Sequence, residues 1–366
     1  VTAVSAGFDH SLALTQDGSV WAWGGNEEGQ LGHGDRNKRL IPERIASLSG
    51  VTAISAGMKY SLAITADGSV WGWGASDRGQ LGPTPEPTPR VLLPGKVQGI
   101  EKVTSVVATV ATSMAIRHDG TVWTWGAHDQ GLLGTDEAAD RPLPTRIQII
   151  RDAVALTSRG FHAVALDSKG ALWGWGSNRS IQLGKVDPPF FPKPHNCFTD
   201  PSKAFTSVAA GSFTLFTRKD GTVWMMGWST INRTGNGSDP RKVWYKGEHQ
   251  QVDGLPAIAS ATCHDHALAL DKSGVVWAWG ENMLGQCGVG SQQPVEWPEK
   301  VTGLSGIVAI AAGRRFSLAI DKDGGVWGWG DNSNGQLGDA TVREKLVPIR
   351  VMELGPAKKP ADKATP

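Results

Sequence analysis

The sequence predicts an all-β chain, a seven-bladed β-propeller of four-stranded antiparallel blades. Three observations carry that expectation. A Trp-x-Trp-Gly stretch returns through the chain, with its first Trp at 21, 71, 123, 173, 224, 277 and 327. A period of about fifty residues belongs to a propeller or a solenoid. Within each unit lie four short apolar or alternating segments. Between them stand turn residues, drawn from 47 Gly and 21 Pro, which supply the dihedrals tight turns need.

Each unit has the same parts. A small-residue strand ending in Ala-Gly comes first, over 1–7, 51–57 and 307–313. An alternating strand follows, as in His10-Ser11-Leu12-Ala13-Leu14 and Tyr60-Ser61-Leu62-Ala63-Ile64, with the period-2 pattern of a strand. Asp-Gly then marks a hairpin at 17–18, 67–68, 119–120, 220–221 and 323–324, because both residues tolerate positive φ. Units four and six use Lys169-Gly170 and Ser273-Gly274. The Val-Trp-x-Trp-Gly strand is third. Its Trp residues share one face, and its Val and small residue share the other. Gly-Gln-Leu-Gly turns the chain at 29–32, 79–82 and 335–338, with altered copies at 131–134, 181–184 and 285–288. A Pro-containing strand closes the unit, as in Ile41-Pro42-Glu43-Arg44-Ile45. Pro cannot donate to a ladder, so this strand belongs at the sheet edge. Repeats are expected to start near 1, 51, 103, 153, 205, 257 and 307, making one propeller over 1–353. Residues 354–366 form a Lys/Ala/Pro-rich tail expected to lie on a neighbouring subunit.

The bulk composition narrows the function classes. The chain of 366 residues is 40% hydrophobic, enough for a large core. Its formal net charge of +1 gives no global field toward nucleic acid or anionic membrane. No apolar run is long enough to span a bilayer. No signal peptide is visible, and the chain starts inside a repeat. Three cysteines are an odd, sparse set rather than a disulfide framework. Trp is used sixteen times against two Tyr, and thirteen of the sixteen are the repeated positions. That usage is architectural.

The Ala-Gly-x-x-His-Ser-Leu-Ala-Leu, Asp-Gly-x-Val-Trp-x-Trp-Gly and Gly-Gln-Leu-Gly segments together resemble the RCC1 repeat, that of the regulator of chromosome condensation. The resemblance covers about residues 1–351. The Trp-x-Trp-Gly form looks like that of prokaryotic members. The resemblance implies a propeller whose ring closes by pairing strands from both termini in one blade.

Function in a propeller sits in loops that differ between blades. Three segments break the repeat. The first, 83–102, is Pro-rich. The second, 185–204, holds Phe190, Phe191, His195 and Phe198. The third, 228–250, follows Trp224-Met225-Met226, where the second Trp is lost, and holds Arg233, Arg241, Trp244 and Tyr245. Aromatics with Arg are the composition of interface hot spots, so these eight residues are the candidate partner-binding set. The plainer alternative is that Phe190, Phe191 and Trp244 fold back and fill gaps left by a degenerate repeat.

No catalytic, metal or cofactor site is expected. Cys263-His264-Asp265-His266 is dense in ligand types, but neighbours on a strand point opposite ways. His266 shares the repeat position of His10, which four units replace by Tyr60, Ser113, Phe213 or Phe316, so it reads as structural. The serines of this strand have no nucleophile elbow, and the glycines are turn glycines. Arg314-Arg315 and Arg241-Lys242 read as isolated solvated pairs. The best reading is a non-enzymatic protein-interaction scaffold with another protein as partner. Two alternatives stand beside it. One is a guanine-nucleotide exchange factor for a small GTPase, with 185–204 as the wedge the resemblance implies. The other is an inhibitor of a secreted enzyme, using an aromatic ring from Phe8, Met58, Phe161 and Phe213. A Trp-based light sensor is disfavoured, since the Trp pairs hold structural positions.

Overall fold

A computed structural model describes residues 1–83, 89–136, 139–184, 187–197, 205–227, 235 and 249–354. Phe198, Arg233, Arg241, Trp244, Tyr245 and the C-terminal tail from 355 lie outside them. The chain forms seven four-stranded antiparallel sheets, each built from four consecutive strands. Blade 1 runs Ala3–Ala6, His10–Leu14, Val20–Gly24, Arg39–Arg44. First strands of later blades begin at 51, 103, 153, 205, 258 and 307. The Pro-bearing strand is outermost in its sheet, where its missing N–H costs no ladder bond.

Among the described residues no blade combines strands from the two ends of the chain, in contrast to what the resemblance implies. The ring closes by packing instead. Ala6, Ala13 and Trp23 of blade 1 share a cluster with Phe316, Leu318, Val326 and Leu337 of blade 7. The bonds from Arg314 N to Gly7 O (3.2 Å) and from Ala340 N to Leu40 O (2.9 Å) cross the same seam.

The third strand explains how neighbouring blades hold together. Its Trp face packs on the preceding blade and its Val face on the following one. Val20 and Ala22 thus join Val51, Ala63 and Trp73 of blade 2, while Trp23 joins blade 7. The second Trp of each intact copy, at 23, 73, 125, 175, 279 and 329, has 0% exposure. The Gly after it carries a register shift in the pairing with the fourth strand, as between Ala22 and Gly24. Gly24 has φ 102°, and a Cβ there would sit 2.6 Å from Asp9 O. Only Gly fits such a bulge.

The Gly-Gln-Leu-Gly turn acts as a clasp on the next blade. Gln30 O accepts from Trp73 Nε1 (2.8 Å) and from Ser61 Oγ (2.9 Å). Gln80 O does so for Trp125 and Ser113, and Gln286 O for Trp329 and Ser317. Gln336 O closes the ring on Trp23 (2.9 Å) and Ser11 (2.7 Å). The repeated His completes the clasp. His10 Nε2 lies 2.9 Å from Ser61 Oγ, and His266 Nε2 lies 2.7 Å from Ser317 Oγ. Because each Ser hydroxyl donates to the Gln carbonyl, the His donates from Nε2. The register places Thr112, not Ser113, at this His position, since Thr112 pairs with Gly126 as His10 pairs with Gly24. Ser113 instead holds the clasp-serine position.

Candidate functional site

Among the candidate residues, Phe190, Phe191 and His195 lie on Phe190–Asn196, the outermost strand of blade 4. Ser177 pairs with Phe190 and Gly174 with His195. This part of the 185–204 insertion therefore lies in the sheet rather than projecting as a wedge. Phe191 turns inward and packs against a cluster with Leu183 and Cys197. It stacks on His195 with centroids 3.7 Å apart, and Cys197 Sγ lies 3.6 Å from His195 Nε2. Phe190 faces out at 48% exposure. Beside it, Lys193 pairs with Asp136 of blade 3 over a groove lined by Ile147, Ile149 and Pro194.

Blade 5 departs from the repeat. Met226 replaces the second Trp, and Phe213 fills the His position at 1% exposure. Gln182 O of blade 4 then holds only Thr214 Oγ1, at 2.7 Å. On the other side, Trp279 Nε1 is buried with no acceptor among the described residues, although a Cβ on Gly235 would lie 3.0 Å from it. Gly235 thus occupies the last clasp position for blade 6. The fourth strand of blade 5 is reduced to Gln250–Gln251.

A second concave feature lies on the propeller axis. The connection between first and second strands of each blade points to one end of the central channel. Residues at these connections were legible only as variable positions after Ala-Gly. The structure brings Phe8, Arg159, Phe161, His264 and Arg314 to one cavity of about 480 Å³. Arg159 reaches from blade 4 to donate to Ala6 O of blade 1. The guanidinium of Arg314 sits over the Phe8 ring at 5.1 Å, so it is not merely a solvated charge. Of the expected aromatic ring, Phe8 and Phe161 line this cavity, Met58 is half-buried and Phe213 is buried.

The Cys263–His266 run is split by its environment. Cys263 Sγ donates to Phe213 O (3.6 Å), and burial pushes its thiol up to about 12. His266 belongs to the clasp, and His264 faces the axial cavity. Among the described residues no group of three or more His, Cys, Asp or Glu is placed to hold a metal, and no helix is long and apolar enough to cross a membrane. Cys197, Cys263 and Cys287 form no disulfide among the described residues.

Comparison with known proteins agrees with this architecture. Residues 1–261 match the RCC1-like domain, and 273–320 and 323–360 match the regulator of chromosome condensation (RCC1) repeat. Over 314 residues the chain is 32% identical to the human E3 ubiquitin-protein ligase HERC2, covering 83% of this chain but 5% of that protein. It is 29% identical to the ultraviolet-B receptor UVR8 of Arabidopsis thaliana, covering 83% of this chain and 70% of the receptor. These relatives are animal and plant proteins, so the expected likeness to prokaryotic members is not borne out. Among solved structures, human WBSCR16 superposes with a TM-score of 0.82 at 20% identity, covering 92% of this chain and 95% of that one. Yeast RCC1 (Prp20) bound to Kap60 superposes with a TM-score of 0.81 at 19% identity, covering 94% and 85%. With the repeat, the seven blades and the matched family models in agreement, the chain belongs to the RCC1-like propeller family.

Proposed function

We propose that this propeller is a non-enzymatic protein-binding module whose partner is held at the blade 4–blade 5 sector. The observation that carries the reading is the break in the repeat at blade 5. Met226 stands where the other six blades place a buried second Trp, and the described fourth strand is the two-residue Gln250–Gln251. Among the described residues, Trp279 Nε1 of blade 6 has no acceptor. The segment between Gly227 and His249 contains Arg233, Arg241, Trp244 and Tyr245, and Phe190 stands exposed on the adjoining blade. Yeast RCC1 (Prp20), of the same fold, has been crystallised with Kap60, which is in keeping with a propeller that works by binding protein.

The test is capture of the partner by the intact protein and by two variants. One replaces 228–248 with a short Gly/Ser linker; the other is Phe190→Asp. Loss of the captured protein from either variant, with the melting transition kept, is the expected result. Undiminished capture by both contradicts the proposal.

A further inference from the structure

The axial cavity carries more positive charge than the fold uses. Three guanidiniums line it, from Arg159, Arg179 and Arg314, with one carboxylate, Asp265. Asp265 already accepts from Ser212 Oγ. Neither Arg159 nor Arg314 has a carboxylate partner. Arg159 spends one N–H on Ala6 O, and Arg314 rests on the Phe8 face. An arginine does not shed its proton, and a guanidinium drawn out of water without a counter-charge is costly. Burial accordingly pulls the Arg159 pKa below its ordinary value.

His264 supplies an independent observation. It is 7% exposed, and neither ring nitrogen makes a hydrogen bond. Its Nδ1 lies 3.5 Å from Asp265 Oδ1 without forming one. The edge-on contact with Phe8, centroids 5.2 Å apart, fixes the ring at the cavity wall. Buried polar groups ordinarily have partners. This buried imidazole, with a carboxylate 3.5 Å from Nδ1 and no hydrogen bond among the described residues, stands in the wall of the cavity beside two guanidiniums that have no carboxylate partner there.

We propose that the axial cavity is an oxyanion pocket that takes a small free phosphate- or carboxylate-bearing molecule, with its anionic group held by Arg159 and Arg314. Arg donors suit an oxyanion because charge-assisted N–H···O bonds are the stronger class. The exposed Phe161 and the Phe8 ring leave an apolar wall for the body of the ligand, and the cavity size is that of small-molecule sites. The pocket is distinct from the blade 4–blade 5 sector and does not depend on its role.

Isothermal titration with inorganic phosphate and with citrate, at low ionic strength, tests this directly. Saturable binding of at least one is expected, and the stronger of the two identifies the class of anionic group. Arg314→Gln lies at an exposed position and keeps the fold; it is expected to weaken binding by about tenfold or more, the size of one lost charge-assisted bond. Arg159→Met is expected to do the same. Lys169→Gln, on the opposite propeller face, leaves binding unchanged. Absence of saturable binding, or equal weakening by Lys169→Gln and Arg314→Gln, overturns the proposal.

Discussion

Two tryptophans stand two residues apart in six of the seven third strands and meet different surroundings. Trp23 is fully buried and gives its N–H to Gln336 O, whereas Trp21 is only half-buried at the margin of the same cluster. Trp23→Ala is expected to cost about 3–5 kcal/mol, and Trp21→Ala clearly less, in urea unfolding. Equal costs contradict the assignment of the second Trp as the inter-blade anchor. His162 offers a pH test. Its Nε2 lies 2.8 Å from Thr214 Oγ1, and burial holds its pKa at about 3 against the usual 6.5. The unfolded chain therefore binds this proton first as pH falls. The stabilisation is complete above about 6.5 and is lost progressively toward about 3. His162→Phe, the residue found at the matching position as Phe316, removes that term. Relative to the variant, the native protein is expected to lose up to about 1.4 kcal/mol per pH unit across that range. Parallel stability curves for the two proteins refute it.

At the scale of the element, the clasp turn depends on glycines with left-handed backbone. Gly338 has φ 67°, and a Cβ there would lie 2.9 Å from Trp23 Nε1. Gly303, at φ 81°, has nothing within 4 Å. Gly303→Ala pays only the left-handed backbone cost of about 1–2 kcal/mol. Gly338→Ala adds a collision with a buried indole and is expected to be the more destabilising by chemical unfolding; equal losses show that the turn does not pack as a clasp. The Asp-Gly hairpin shows a subtler substitution of parts. Asp17 accepts from Ser19 N within its own turn (3.1 Å). In blades 4 and 6, which lack the turn Asp, the carboxylate moves two residues back. Asp167 and Asp271 then accept from the turn amides and from Trp173 and Trp277. The repeat made the strands, turns and edge prolines legible, because period and turn chemistry are local. It did not show that Phe191 turns inward over His195 or that Arg159 crosses the axis. Both depend on neighbours far away in the chain. The slip from Thr112 to Ser113 has a similar origin, since a one-residue offset is settled by cross-strand pairing.

Across the whole molecule, seven similar blades share one stabilising scheme, and its clearest departure has a place on the ring. The sector from Phe190 to Trp279 combines an exposed aromatic, a two-residue fourth strand and an indole donor with no acceptor among the described residues. Elsewhere the clasp repeats, and the seam between blades 7 and 1 is sealed as an ordinary joint. The axial cavity belongs to the same scale, since blades 1, 3, 4, 5, 6 and 7 all contribute side chains to it. Hydrogen exchange of the protein alone and with its captured partner tests the central claim most directly. The predicted result is slowed exchange confined to 190–196 and 228–251, with the clasp turns of blades 1, 2 and 7 unchanged. Protection that instead maps to the outer strands of blades 1, 2 and 7 would contradict the assignment of the blade 4–blade 5 sector as the binding surface.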